Sequence, residues 1–229
     1  DWLDHADDPQ QVYTSATIHE ELARTDLGLP GAYFLGLSSP FDLESQRELR
    51  IEPIVARETD RAGWLRGIAA KLAGVLAEDA GWGGVLVLLT SRADLDALAP
   101  TARAVCGAAG RELVTQAEPG WRDRIGERTV LLGLDTCGEG LDCPGRDLEV
   151  VIVPKLPFAA PDVHSAFWQR QEPRAHFTRR VLPAMLIKLE QWVGRLIRPK
   201  TDRGLVLVLD GRALTKGYAP QAQRVLAGL

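Results

Sequence analysis

Residues 191–198 read Q-x-x-G-R-x-I-R, with Gln191, Gly194, Arg195 and Arg198 at the positions that could do chemistry. Two arginines three apart, behind a Gln and a Gly on a turn or helix, suit the grip of a polyphosphate. Guanidinium groups match phosphate oxygens in bidentate geometry and stay charged throughout the physiological range. A second candidate is the glycine-rich stretch 133–145, which carries Glu139, Gly140 and Asp142 directly after an apolar run. Glycines there allow close approach of backbone to a ligand. The same stretch also fits a tight connection in which Asp142 makes a cap. Thr14, Ser15 and Thr17 are small hydroxyl residues able to hydrogen-bond across a cleft, although ordinary turns use the same types.

Thr90, Ser91 and Arg92 follow one apolar run, and Lys155 follows another. Residues 166–180 interleave Trp168, Phe177 and His176 with Arg170, Arg174, Arg179 and Arg180. Aromatics among arginines suit a single-stranded nucleic-acid track, where stacking contributes about 1–3 kcal/mol per base. They equally suit an exposed amphipathic helix with ordinary core aromatics. His164 and His176 read as polar surface residues, because no partner spacing marks a metal site.

Stepwise alternation of strands and helices must hold these residues in place. Short strands are expected at 12–14, 33–35 and 49–51. Strong strands are expected at 85–89, a continuous apolar run as in buried parallel strands, and at 129–132, 148–153 and 204–209, with a weaker one at 112–115. Helices are expected at 18–25, 61–79, 93–109 and 182–196. On the second of these, Leu65, Ile68, Leu72, Val75 and Leu76 form the core stripe. On the last it is Met185, Leu186, Leu189, Val193 and Leu196. The pattern implies an α/β fold, a doubly wound parallel sheet flanked by helices, with ligands at the carboxyl ends of its strands.

Composition narrows the function classes. No run of eighteen apolar residues is present, so no transmembrane helix and no membrane partner is expected. Cys106, Cys137 and Cys143 lack C-x-x-C spacing, which points to reduced thiols in a cytoplasmic protein and to no metal site. The first residue is Asp1, so the chain reads as processed or as a part of something longer. The formal net charge of −4 is unevenly spread: residues 1–50 hold 3 basic and 10 acidic residues, whereas 151–229 hold 13 basic and 5 acidic. Such asymmetry permits a local basic surface on an acidic protein. Neither G-x-G-x-x-G after the first strand nor G-x-x-x-x-G-K-[ST] occurs, and there is no D-E-x-x box. Without a phosphate-cradling loop and a magnesium carboxylate, the chain is not a complete P-loop ATPase.

In order, residues 14–17, 39–41 (S-P-F), 85–91, 139–142, 155–158 (K-L-P-F), 191–198 and 200–212 resemble the motifs of the DinG/XPD branch of superfamily 2 DNA helicases. The resemblance is nearer the bacterial DinG side, including its type IV CRISPR-associated variants, and covers nearly the whole chain. It implies a RecA-like fold, with residues 1–17 ending a first helicase domain (motif III) and 18–229 forming the second (motifs IV, V and VI). ATP and Mg2+ would be shared with the missing first domain, which in many members also holds an iron–sulfur cluster. Arg198 would be the arginine finger, with Arg195 and Gln191 reaching the γ-phosphate and Gly194 letting the backbone turn close to the nucleotide. Glu139, Gly140 and Asp142 match motif V, and Thr14, Ser15 and Thr17 match motif III, which couples hydrolysis to unwinding. Thr90, Ser91, Arg92, Lys155, Arg174 and Arg179 would border single-stranded DNA, along which the family moves 5′ to 3′. One departure is Trp192-Val193, where relatives often have Gly-Phe; Trp192 is expected in the core.

Two other readings fit the residues. One is a non-catalytic nucleic-acid-binding module of a larger, RNA-guided complex. The other is a small-molecule α/β enzyme using the 133–145 loop, which leaves the Gln191 segment unexplained.

Overall fold

The structure, a computed structural model, describes residues 24, 31–36, 41–78, 81–137, 143–197 and 201–228. Six parallel strands form one sheet: β1 (Arg47–Ile51), β2 (Val85–Leu88), β3 (Glu112–Thr115), β4 (Thr129–Gly133), β5 (Val150–Val153) and β6 (Gly204–Val208). Their spatial order is β1-β6-β5-β2-β4-β3. The helices are α1 (Arg61–Leu76), α2 (Arg92–Ala108), α3 (Val163–Gln171), α4 (Leu182–Val193) and α5 (Ala219–Ala227), with single helical turns at Leu43–Gln46 and Arg212–Thr215.

The apolar runs are continuous because the sheet is covered on both faces. Leu86, Leu88, Leu131, Val151, Val153, Val206 and Val208 point into one cluster, shared with Met185, Leu189 and Trp192 of α4 and with Leu226 of α5. Their neighbours Val85, Val87, Leu132, Ile152, Leu205 and Leu207 point into the other, shared with Ile68 and Leu72 of α1 and Leu95 and Leu98 of α2. This three-layer arrangement is the doubly wound sheet expected from the sequence.

Helix ends follow local chemistry. The Asp60 carboxylate caps α1 by accepting from Gly63 N–H at 2.8 Å, and Asp162 caps α3 by accepting from Ser165 N–H at 2.6 Å. Gly110, at φ +66°, ends α2: its N–H donates to Gly107 C=O at 3.1 Å and that of Arg111 to Cys106 C=O at 2.8 Å. This left-handed residue with its pair of reversed bonds is a Schellman closure, which only Gly adopts without strain. Pro183 near the start of α4 has no N–H to give the carbonyl four residues back, and the turn before it, Phe177–Val181, is widened to π geometry.

Some expectations change. Residues 32–36 form no strand; Tyr33 and Leu35 are exposed, and Phe34 packs under the Arg24 guanidinium rather than against a neighbouring strand. The stripe of α1 is rotated, so that Trp64 and Ala69 are buried and Leu65 and Leu76 only partly so. On α4 the same holds for Trp192 in place of Leu186. His176 is 8% exposed rather than a surface residue: its N–H donates to Glu172 C=O at 2.7 Å, inside the turn joining α3 to the π turn. The side chain of His164, the expected strand at 12–14 and, apart from helical residue 24, the expected helix at 18–25 lie outside what the structure describes. Cys106, Cys137 and Cys143 are buried and free.

Above the carboxyl ends of the strands, Asp94 near the start of α2 ties down the segment between β1 and α1. Its side chain, 1% exposed, accepts from Arg57 Nε at 2.6 Å and from Arg61 Nε at 2.7 Å. Burial pushes the Asp94 carboxyl up, but the two guanidinium partners outweigh burial and hold it below the usual carboxylate value. Both arginines are partly in water, so Asp94→Asn is expected to cost about 1–3 kcal/mol at neutral pH. A depressed carboxylate contributes stability above its ordinary pKa of about 4 and loses it as pH falls through the lower native value. Urea midpoints of the two proteins should therefore converge below about pH 4 and run parallel from pH 5 to 8.

Candidate nucleotide and nucleic-acid surfaces

In the strand order, the β2 connection leaves to one side and the β5 connection to the other, so the switch point lies between these neighbours. A crevice at the carboxyl ends of such strands is where ligands of doubly wound sheets bind. Thr90, Ser91 and Arg92 follow β2, and Pro154 and Lys155 follow β5, so these expected residues share that edge. Ser91 is the N-cap of α2, its C=O accepting from Asp94 and Leu95 N–H. Exposed Arg92 meets Asp96 one turn on, at 3.0 Å.

Beside the switch point, above β1, β5 and β6, is a cleft of about 240 Å³ lined by Arg57, Glu58, Lys155, Asp210, Arg212 and Thr215 over a floor including Ile54, Pro154 and Leu209. Lys155 Nζ reaches Glu58 Oε1 at 2.5 Å across its mouth. Asp210 accepts from the Leu156 N–H at 2.8 Å and from Arg212 Nη2 at 2.7 Å, joining the loops after β5 and β6. Burial raises the Asp210 carboxyl, yet the Arg212 side chain and the two backbone N–H groups hold it below its ordinary value. Sequence reading singled out neither Glu58 nor this pair as site residues. The Asp-Gly-Arg after the last apolar strand was the available signal for the pair, whereas Glu58 lies 97 positions from its partner and gives none. Arg174 and Arg179 are exposed on the turns beyond α3.

The Gln191 segment lies elsewhere. Gln191 and Gly194 are at the end of α4, and Leu196 packs where a side chain on Gly204, the first residue of β6, would stand. The segment thus approaches the amino edge of the sheet, opposite Thr90–Arg92 and Lys155. Gly194 keeps helical backbone (φ −67°), its N–H donating to Glu190 C=O at 2.8 Å. Gln191 and Arg195 are half-buried. Arg198, Glu139, Gly140, Asp142, Thr14, Ser15 and Thr17 lie outside the described residues. After β4, Asp135 meets Lys188 of α4 at 2.7 Å, which ties the 133–145 loop to the helix carrying Gln191. No group of three or more His, Cys, Asp or Glu among the described residues could hold a metal ion, and no described helix is long and apolar enough to cross a membrane.

Arg195 and Lys155 thus stand at opposite edges of one sheet. The helicase C-terminal domain model matches residues 76–227. The chain belongs to that family. ATP-dependent DNA helicase YoaA of Escherichia coli (strain K12) is 30% identical over 220 residues, covering 90% of this chain and 34% of the relative. ATP-dependent DNA helicase DinG of Salmonella typhimurium is 39% identical over 112 residues, covering 47% of this chain and 15% of the relative. Among solved structures, an XPD helicase has a TM-score of 0.59 at 15% identity, over 79% of this chain and 34% of that one. Yeast Dbp5 bound to RNA and ADP BeF3 has a TM-score of 0.55 at 13% identity, over 94% of this chain and 48% of that one. Those two likenesses show the RecA-like fold; the family match and the sequence relatives make this a helicase C-terminal domain similar to those of DinG and YoaA. The chain spans about a third or less of the length of the curated relatives it matches.

Proposed function

We propose that this chain is the second motor domain of an ATP-dependent DNA helicase, with residues 1–17 ending the first. The observation that carries the reading is the separation of the Gln191–Arg195 helix end from the Thr90–Arg92 and Lys155 edge, within a helicase C-terminal domain. The amino-edge surface faces a nucleotide held by the first domain, and the carboxyl edge carries single-stranded DNA.

ATP and Mg2+ sit chiefly on that first domain, which supplies the phosphate-cradling loop this chain lacks. Gln191, Arg195 and Arg198 approach the γ-phosphate, where guanidinium groups stabilise charge that develops in the transition state. Asp135, just after β4, is tied to Lys188 of α4, and residues 139–142, a few positions further along the sequence, couple the nucleotide to the DNA strand. Thr14, Ser15 and Thr17 couple the two domains. Translocation runs 5′ to 3′.

Two measurements test this. The 229-residue chain alone should show negligible ATP turnover with or without DNA, and it should bind single-stranded oligonucleotides with an affinity that falls steeply with salt. Robust turnover by the chain alone overturns the half-motor reading. A full-length protein whose DNA binding is unchanged by ATP analogues would instead be a non-catalytic binding module.

A further inference from the structure

Next to the Lys155 cleft, three rings from distant parts of the chain converge. Phe158 comes from the loop after β5, Phe177 from the π turn before α4, and Tyr218 from the start of α5. Phe158 stacks on Phe177 with centroids 6.1 Å apart and planes at 24°, and meets Tyr218 edge-on at 5.5 Å. Phe177 and Tyr218 are 5.8 Å apart. Arg212 lies over Phe158, its guanidinium carbon 5.2 Å from the centroid, and lines the cleft as well. Cleft and rings are therefore one continuous surface.

Phe177 is 42% exposed although two rings hold it in place. A large aromatic fixed by neighbours and open to water on one side is a stacking platform with its orientation set in advance. The charges beside it have a matching layout. Nε and Nη2 of Arg212 face Asp210, which leaves the Nη1 side of the fork directed away from that carboxylate. The Lys155 ammonium is held by Glu58, whose side chain is 61% exposed. The Lys155 side chain is 24% exposed, so the ammonium stays in place while the wetter carboxylate can swing away, and a phosphate oxygen can take its position.

We infer that this surface is a one-nucleotide subsite for single-stranded nucleic acid, with a base stacked on Phe177 and the adjoining phosphate over Lys155 and Arg212, where it replaces Glu58. The inference rests on the reading that the carboxyl edge carries the strand. It adds the base-stacking residue and makes Glu58 a carboxylate latch that weakens binding of the strand until a phosphate dislodges it.

The test uses the full-length protein and fluorescence anisotropy with a labelled oligothymidylate and an abasic strand of the same length. Phe177→Ala should weaken oligothymidylate binding about 5- to 100-fold and leave the abasic strand nearly unaffected, while Phe177→Trp keeps wild-type affinity. Lys155→Ala should weaken both strands and reduce the slope of log affinity against log salt by about one. Glu58→Gln should tighten both strands severalfold, an effect opposite in sign to loss of a structural ion pair. Unchanged oligothymidylate affinity in Phe177→Ala, or equal losses on both strands, overturns the stacking subsite. Weakened binding in Glu58→Gln overturns the latch. Absence of single-stranded binding by the wild-type protein defeats the underlying reading itself, and is thereby distinguished from failure of the subsite alone.

Discussion

Arg198→Ala in the full-length protein should lower DNA-stimulated ATP hydrolysis by roughly 10³- to 10⁵-fold, the size of an arginine-finger effect in related NTPases. Binding of single-stranded DNA should stay within about threefold of wild type, a change under about 1 kcal/mol, because α4 ends toward the amino edge, away from the carboxyl edge proposed to carry the DNA. Arg198→Lys should not restore turnover: an ammonium is a point charge and cannot present the planar fork that a transferring phosphoryl group meets. Arg195, half-buried and three residues earlier in the sequence, should give a loss of the same sign. Steady-state hydrolysis at saturating DNA, set beside anisotropy titrations, separates the two effects. Wild-type turnover in Arg198→Ala would remove that residue from the finger role. Parallel losses of turnover and DNA affinity would show that the two edges do not act on separate ligands.

The layered fold was legible because the strands declare it. Val85–Leu88, Thr129–Gly133 and Gly204–Val208 are apolar at nearly every position, which an antiparallel sheet with one wet face does not require. Glycine closures such as Gly110 were legible for a similar reason, since a left-handed residue admits few alternatives. Which side of a helix faces the core was less legible. On α1 the ring of Trp64 reaches the carbonyl of Pro154 at 3.4 Å and displaces Leu65 from the stripe, a contact decided by a partner 90 residues away. The candidate surfaces divide along the same line. Gln191, Arg195, Thr90 and Lys155 stand out through local spacing and strand ends. Glu58, Asp94 and the Phe158–Phe177–Tyr218 group acquire meaning only when β1, β5 and β6 bring distant loops to one edge. His176 was misread because the arginines around it look like solvated surface, whereas the turn joining α3 to the π turn folds its ring inward.

Trp192→Ala should be among the most destabilising single substitutions in the chain, at about 3–5 kcal/mol. The ring is 1% exposed in the cluster formed by α4, α5 and one face of the sheet, and its removal leaves a cavity that a parallel sheet cannot close by moving strands. The indole is not held there by its polar handle, because Nε1 has no hydrogen-bond partner among the described residues. An unsatisfied buried donor costs about 1–3 kcal/mol, so Trp192→Phe trades some lost volume for relief of that cost and should fall within about 2 kcal/mol of wild type. Urea midpoints at constant m-value read the order wild type, Phe, Ala. A Phe variant as unstable as the Ala variant would mean that the N–H is engaged after all. The position also links packing to chemistry, since Trp192 is flanked by Gln191 and stands three residues before Arg195. In the full-length protein, at temperatures where the Ala variant stays folded, ATP turnover should drop more than single-stranded DNA affinity. The cavity would loosen the helix end proposed to face the nucleotide, and leave the Lys155 edge on its own anchors, Asp210 and the strand ends of β5 and β6.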